Sequence, residues 1–147
     1  TYKNLDVDGS SVSETRTISL DAGSQLSKIT QAYGTTLPIE VAAGIVKRPG
    51  SKAAEVSADK TFLVYNEPDT RKASGVYVAL LKPEGWEKAT EAHSHTLAIT
   101  RYTPGQPVTY YTGYGWDKYG FENRQAFEAY LREYVQKLKH PLKVKIR

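Results

Sequence analysis

Hydrophobic and polar residues alternate with a period of two over much of this chain, which is the pattern of half-buried β-strands. Residues 16–20, RTISL, place Ile18 and Leu20 on one face and Thr17 and Ser19 on the other. Asp and Gly at residues 21–24 supply turn chemistry, and a second strand is predicted at residues 25–33. We expect these two strands to form a hairpin.

The alternation continues after Pro38, which starts a strand over residues 39–47 with apolar residues on one face: Ile39, Val41, Ala43 and Ile45. Gly44 inside it indicates a bulge or a close contact. Residues 48–60 are predicted as a loop, residues 61–66 and 76–81 as strands, and residues 69–75 as the polar turn between them. Residues 87–92 are compatible with one helical turn.

Residues 95–101 and 108–116 each alternate, and a Pro- and Gly-containing turn at residues 103–107 separates them. They are therefore predicted to pair as a hairpin. After Gly120 the period lengthens, and apolar residues three and four apart predict an amphipathic helix at residues 124–139 with Asn123 as its N-cap. Pro141 ends the helix, and the alternation of Leu142, Val144 and Ile146 predicts a final edge strand.

About eight strands and a single late helix predict a mainly β fold, an antiparallel β-sandwich with one C-terminal amphipathic helix, rather than a βαβ arrangement. The 147 residues fit one domain covering residues 1–147. The absence of methionine, even at position 1, indicates a mature fragment cut from a longer precursor.

Composition narrows the function classes. The chain has no cysteine, which excludes disulfides and thiolate metal sites. The net charge of +4 is modest and its basic residues cluster only in the tail, so nucleic acid is not an expected partner. No apolar run of about 18 residues is present, so a membrane is not an expected partner either. No nucleotide-binding motif occurs.

Two groups of residues are candidates for chemistry. His93 and His95 lie two residues apart, so on a strand they share a face where they could hold a metal or act as acid and base, or simply meet solvent. A zinc site would need a third ligand, for which the candidates are Glu91, Glu87, Glu67 and the distant His140, and no metal or other cofactor is expected. Tyr110, Tyr111, Tyr114 and Trp116 place rings on both faces of one strand. Inward rings belong to the core, whereas Tyr111 and Trp116 are candidates for a sugar-stacking platform or for contact with the helix.

Isolated charges also suggest binding roles. Glu67 follows Tyr65 at a strand end, where its carboxylate could face a cleft. Arg16 and Arg101 each lie in an otherwise neutral strand, where a guanidinium could pair with the carboxylate of a uronic acid or with a surface carboxylate of the protein.

Three stretches, RTISLDAGSQLSK, PIEVAAGIVKR and HTLAITRYTPGQPVTYYTGYGW, followed by the helix and PLKVKI, resemble the C-terminal part of the family called domain of unknown function 4861. The resemblance implies that this chain is the C-terminal portion of a longer protein and forms part of a galactose-mutarotase-like supersandwich. It also implies an exported bacterial protein encoded among polysaccharide-degrading enzymes. The family's longer N-terminal half has no counterpart here, and Ser94-His95 replaces its Asn-His pair.

This resemblance leads to the expectation of a carbohydrate-active domain, periplasmic or extracellular, that acts in the degradation of uronic-acid oligosaccharides by lyase or dehydratase chemistry. The expected partners are an oligosaccharide and the missing N-terminal half. The alternative is a non-catalytic β-sandwich that binds glycan or completes a larger sandwich. The predicted catalytic residues are His95, Tyr111 and Arg101. The predicted substrate-binding residues are Trp116, Tyr65, Glu67 and Arg16.

Overall fold

A computed structural model describes residues 1–68, 75–143 and 145. Its elements, in chain order, are β1 (Tyr2–Val7), β2 (Ser10–Ser19), β3 (Leu26–Gly34), β4 (Ile39–Val46), β5 (Glu55–Val56), β6 (Phe62–Asn66), β7 (Val76–Leu81), β8 (Lys88–Ala92), β9 (His95–Tyr102), β10 (Val108–Trp116) and α1 (Arg124–Lys139). The predicted mainly β fold with one C-terminal helix is confirmed.

The strands form two antiparallel sheets. The larger sheet has the strand order β1-β2-β3-β10-β7-β6-β5, and the smaller one has the order β4-β9-β8. The predicted hairpin is confirmed as β2 and β3, which pair from Ser13 opposite Gly34 to Ser19 opposite Lys28. The predicted sandwich is also confirmed, because the two sheets pack face to face through one apolar cluster.

The larger sheet is the middle layer of the molecule. Its face toward the smaller sheet contributes apolar side chains such as Ile29, Leu63 and Tyr110 to the cluster between the sheets. Its opposite face packs against α1, whose buried residues recur at a spacing of four: Phe127, Leu131 and Val135. Each strand in the middle layer must therefore place apolar side chains on both faces, which explains the poor alternation of residues 76–81.

The helix matches its prediction at both ends. Asn123 has extended backbone angles, and its Oδ1 accepts a hydrogen bond of 2.9 Å from the amide of Ala126. The amide of His140 donates to the carbonyl of Gln136 as the last bond of the helix. Lys137 and Lys139 lie in the last turn, where their charges favour the negative pole of the helix.

The prediction that residues 95–101 and 108–116 pair with each other is wrong. β9 pairs with β4 and β8 in the smaller sheet, whereas β10 pairs with β3 and β7 in the larger one. The turn between them, closed by the amide of Gln106 donating to the carbonyl of Thr103, carries the chain from one sheet to the other. β10 carries rings on both faces, so it needs a position in a sheet that is covered on both sides. The larger sheet, which lies between the smaller sheet and α1, provides this position, whereas the smaller sheet does not.

Two smaller predictions are also corrected. Residues 88–92 form the edge strand β8 rather than a helical turn, because their backbone pairs with β9. The predicted loop at residues 48–60 contains the two-residue strand β5, which pairs with β6. Of the two alternatives for Gly44, the structure shows the close contact, because Gly44 pairs in regular register with Leu97 and an added Cβ would lie 3.0 Å from Leu97 Cδ2.

Two predicted segments lie outside the described residues, wholly or in part. Of the polar turn at residues 69–75, the structure describes Gly75 alone. Of the predicted final strand, Val144 and Ile146 are not described, and residues 141–143 are not in a strand.

Candidate functional site

Part of the larger sheet is left open on the side that faces the smaller sheet. Residues directly opposite each other on neighbouring strands share a face. Ile18 lies opposite Ile29, and Ile29 lies opposite Tyr110. Because Ile29 and Tyr110 belong to the cluster between the sheets, Ile18 points to that side as well. Arg16, two residues earlier on β2, shares the face with Ile18.

The smaller sheet does not cover the far end of this face. Ile18 is 64% exposed, Tyr114 60% and Trp116 40%. Tyr114 and Trp116 share the face of Tyr110, since they are separated from it by even numbers of residues on β10. We call the exposed surface formed by Arg16, Ile18, Tyr114 and Trp116 the open face, and Tyr110 lies buried on the same side of the sheet.

The open face is long. Arg16 and Val108 both lie opposite Gln31, and Trp116 is eight residues beyond Val108, which on a strand is about 26 Å. Tyr119 adds a third exposed ring beside Tyr114 and Trp116, because residue 119 forms a bridge with Trp116 and is 72% exposed. Exposed apolar patches of contiguous side chains mark interaction sites in soluble proteins.

Arg16 supplies the charge of the open face. Its Nε donates a hydrogen bond of 2.7 Å to Oε1 of Glu14, and its guanidinium lies 5.6 Å from the centre of the Tyr2 ring. Burial lowers the pKa of Arg16, but the hydrogen bond and charge of Glu14 outweigh that effect and raise it. Within the described residues, the two Nη groups make no hydrogen bond, so they are available to an external acceptor.

Glu14 is held from a second side. It is buried, and the same Oε1 accepts a hydrogen bond of 3.0 Å from Nε2 of Gln31. This contact orients the Gln31 amide. The other end of that amide, Oε1 of Gln31, is buried with no partner among the described residues. A buried acceptor without a partner is uncommon in a folded protein. Glu14, Arg16 and Gln31 together form a polar cluster, here called the polar inset, within an otherwise apolar layer.

Tyrosines surround this polar inset. Burial and the negative charge of Glu14 raise the pKa of Tyr33 to about 12. Burial also raises the pKa of Tyr110, although the charge of Arg16 opposes the shift. Both hydroxyls therefore keep their protons at neutral pH. The indole of Trp86 lies 5.7 Å from the Tyr110 ring, and its Nε1 is buried without a partner in the part of the chain that the structure describes.

The three predicted catalytic residues do not converge. His95 and Arg101 lie at opposite ends of β9 in the smaller sheet, six residues or about 20 Å apart. Nδ1 of His95 lies 2.7 Å from the carbonyl oxygen of His93 and donates to it. Tyr111 is buried on the helix side of the larger sheet, where its ring lies edge-on to Tyr134 at 5.4 Å. Of the two roles considered for Tyr111, the structure shows contact with the helix.

The four predicted substrate-binding residues are also divided between sites. Arg16 and Trp116 lie on the open face. Tyr65 is buried, donates to Oγ of Ser51 at 2.7 Å and accepts from the amide of Arg48 at 3.0 Å. Glu67 accepts a hydrogen bond of 2.8 Å from Nε of Arg48. It lines a cavity of about 170 Å³ away from the open face.

Sequence reasoning missed Glu14, Gln31, Tyr33 and Tyr110 as members of the site. The signal for Glu14 was its spacing of two residues from Arg16 in SETRT, which places both on one face of a strand. Gln31, Tyr33 and Tyr110 join them only through the pairing of β2, β3 and β10.

Among the described residues, no group of three His, Asp or Glu side chains is placed to hold a metal ion. The only helix in that part of the chain is too short and too polar to cross a membrane.

The fold and the open face define a two-sheet β protein with a helix packed on the outside. The chain belongs to the family described as domain of unknown function (DUF4861), whose model matches residues 1–144. It is 25% identical over 153 residues to uncharacterized protein P7 of Formosa agariphila, an alignment that covers 99% of this chain and 38% of that protein. The chain thus spans less than half the length of this relative. No solved structure matches the chain significantly.

Proposed function

We propose that this chain is a carbohydrate-active domain of an exported, periplasmic or extracellular bacterial protein, and that it holds uronic-acid oligosaccharides on the open face. The observation that carries the proposal is the combination of a half-exposed arginine and exposed aromatic rings on one face of the larger sheet. Sugar rings stack on aromatic side chains through their C–H faces, and arginine binds carboxylates with paired hydrogen bonds.

The arrangement of Arg16 supports recognition of a carboxylate. The guanidinium is fixed by Glu14 through Nε, so its Nη edge is presented without further ordering of the side chain. A ligand carboxylate would find a donor pair there. Trp116, Tyr114 and Tyr119 would stack further sugar units at the other end of the face.

Isothermal titration with an oligogalacturonate tests this proposal. We expect binding that falls by about tenfold or more in Arg16→Gln, since a charged hydrogen bond contributes about 1.5–3 kcal/mol. When the carboxyl groups of the same oligosaccharide are reduced to alcohols, Arg16→Gln and the unmodified chain should bind it with equal affinity. Arg132→Gln, on the exposed side of α1, is the charge-matched control. Equal affinity for both oligosaccharides, or no effect of Arg16→Gln, would exclude the site.

The chemical step that we propose is elimination or dehydration of a uronate. A base removes the proton α to the carboxylate, those electrons form a carbon–carbon double bond, and the β-oxygen leaves with a proton from an acid. The product double bond is conjugated with the carboxylate and absorbs in the ultraviolet. Incubation of the chain, and of a longer homologue, with saturated and unsaturated uronate oligosaccharides would reveal it.

The second candidate is a non-catalytic sandwich that completes a larger, galactose-mutarotase-like sandwich. Ile18 and Leu20, 64% and 63% exposed, favour it, because aliphatic side chains offer no hydrogen bonds to a sugar and are normally covered. The occupant would be the remainder of a longer chain. Ile18→Lys and Leu20→Lys should then reduce aggregation of this chain by itself but destabilise a full-length homologue, whereas glycan binding on the open face predicts no loss of stability in either protein.

A further inference from the structure

A polar cleft lies at the end of the sandwich where the chain passes from the smaller sheet to the larger one. It has a volume of about 380 Å³, at the small end of the range of about 300–1,000 Å³ for ligand sites. Its walls include the side chains of Lys82, Glu84, Thr100, Thr103 and Gln106.

Two tight turns build the walls of the cleft. On one side, the amide of Gln106 donates to the carbonyl of Thr103 at 2.9 Å. On the other, the amide of Gly85 donates to the carbonyl of Lys82, also at 2.9 Å. Since the backbone at both turns is fixed by hydrogen bonds, the polar side chains of the cleft are preorganised, which lowers the entropic cost of binding a ligand.

Thr100 provides a polar group that the protein itself leaves unused. The residue is 4% exposed and lines the cleft. Its hydroxyl makes no hydrogen bond within the described part of the chain and is not among the buried unpaired polar atoms there, so its oxygen faces the solvent of the cleft. A ligand hydroxyl in the cleft would satisfy it.

Lys82 provides a cation that is only partly engaged. Its Nζ lies 3.3 Å from Oε2 of Glu84 and 3.2 Å from the carbonyl oxygen of Gly85. An ammonium has three N–H groups, so one remains for a ligand. Two cations, Lys82 and Arg101, and one carboxylate, Glu84, line the cleft and leave it with one net positive charge.

From this geometry we propose that the cleft is a second carbohydrate site, which binds a single uronate unit independently of the open face. The carboxylate lies at Lys82, and ring hydroxyls bind Thr100, Thr103 and Gln106. No aromatic ring is among the described residues that line the cleft, so recognition rests on charge and hydrogen bonds and not on stacking. The choice of an acidic sugar as the ligand rests on the proposed function. The existence of the site rests only on the shape and the lining residues of the cleft.

A titration of the ¹⁵N-labelled chain with glucuronate, followed by amide chemical shifts, tests this proposal. We expect saturable shifts at Thr100, Thr103 and Gln106, and weaker shifts or none with glucose. Lys82→Gln should weaken glucuronate binding by about tenfold or more, because it removes a charged hydrogen bond. Thr100→Val, which keeps the shape of the buried side chain, should weaken binding without loss of spectral dispersion.

Two controls separate this site from the open face. Lys88→Gln removes a surface charge whose partner is Glu40, and it should leave the titration unchanged. Arg16→Gln should weaken oligosaccharide binding on the open face by about tenfold or more and leave the shifts at the cleft intact. The proposal is overturned if glucuronate shifts no cleft amide, if glucose binds as tightly, or if Lys82→Gln and Thr100→Val bind like the unmodified chain. If the unmodified chain binds no oligogalacturonate while glucuronate still shifts the cleft amides, the proposed function is overturned and the cleft site is not.

Discussion

Arg16 and Glu14 form an ion pair across one face of β2, with 2.7 Å between Nε and Oε1, and the carboxylate is buried while the guanidinium is partly exposed. This asymmetry gives the pair two roles. Glu14 belongs to the interior and organises its neighbours, whereas Arg16 reaches the surface with its Nη edge unused. The same pair of side chains thus combines a structural ion pair with the guanidinium that we propose as a carboxylate-binding group.

We expect Glu14→Ala to lower the free energy of unfolding by about 1–3 kcal/mol, because it leaves the Gln31 amide in the interior without its acceptor. Urea denaturation measures the change. Glu40→Ala is the matched control, since Glu40 pairs with Lys88 at 2.8 Å on the exposed surface and such pairs contribute at most about 1 kcal/mol. Equal effects of the two substitutions would show that Glu14 has no special structural role.

Adjacent tyrosines on β10 should differ in their effect on any elimination activity. Tyr110→Phe removes a hydroxyl on the inter-sheet side, near Arg16, and we expect it to lower the rate of double-bond formation by about tenfold or more. Tyr111→Phe removes a hydroxyl beneath α1 and should leave the rate unchanged. Ultraviolet absorbance of the unsaturated product measures both. A larger loss in Tyr111→Phe would restore Tyr111 to the catalytic role that the sequence suggested.

The sequence predicted individual strands better than their partners. Alternation identified residues 16–20 and 95–101 as strands, because a two-residue period is visible in the order of neighbouring residues alone. Pairing depends on contacts between residues that are distant in the sequence. The local sequence therefore did not show that β9 pairs with β4 and not with β10, the strand that follows it. The helix was predicted at its correct bounds because both its period and its cap, Asn123, are local features.

The candidate site was predicted only in fragments for the same reason. Arg16 and Trp116 stood out individually, as a cation in a neutral strand and as a ring at a strand end. That they share a face follows from the order β2-β3-β10 and from the opposition of Ile18, Ile29 and Tyr110. Tyr111 was assigned outward because one strand with rings on both faces does not reveal which face the helix covers.

Stability should fall at alkaline pH through Tyr33. Its pKa is about 12 in the folded chain, mainly because of burial and then because of the charge of Glu14, against about 10 in an unfolded chain. A raised pKa means that folding favours the protonated hydroxyl, so this contribution is complete below about pH 10 and is lost as the pH rises from about 10 to about 12. Urea midpoints measured across this range should therefore decline less steeply in Tyr33→Phe than in the unmodified chain.

Other tyrosines with raised pKa values contribute to the same alkaline loss, among them Tyr110 and Tyr111. Only the difference between Tyr33→Phe and the unmodified chain isolates Tyr33. Identical slopes for the two proteins would mean that the Tyr33 hydroxyl titrates as in the unfolded chain.

The contact between β10 and α1 depends on the absence of a side chain at Gly115. A Cβ added there would lie 2.6 Å from Cδ2 of Phe127 and 3.0 Å from Cδ2 of Phe121, and the Phe127 ring is fully buried and unable to move aside cheaply. We expect Gly115→Ala to lower the free energy of unfolding by about 1–3 kcal/mol, the usual cost of overpacking a core, as measured by urea denaturation. Gly44→Ala is the matched control in another strand, because the nearest atom there is the end of the flexible Leu97 side chain, and its effect should be smaller. If Gly115→Ala proves the milder of the two, the helix does not pack on β10 as closely as this structure requires.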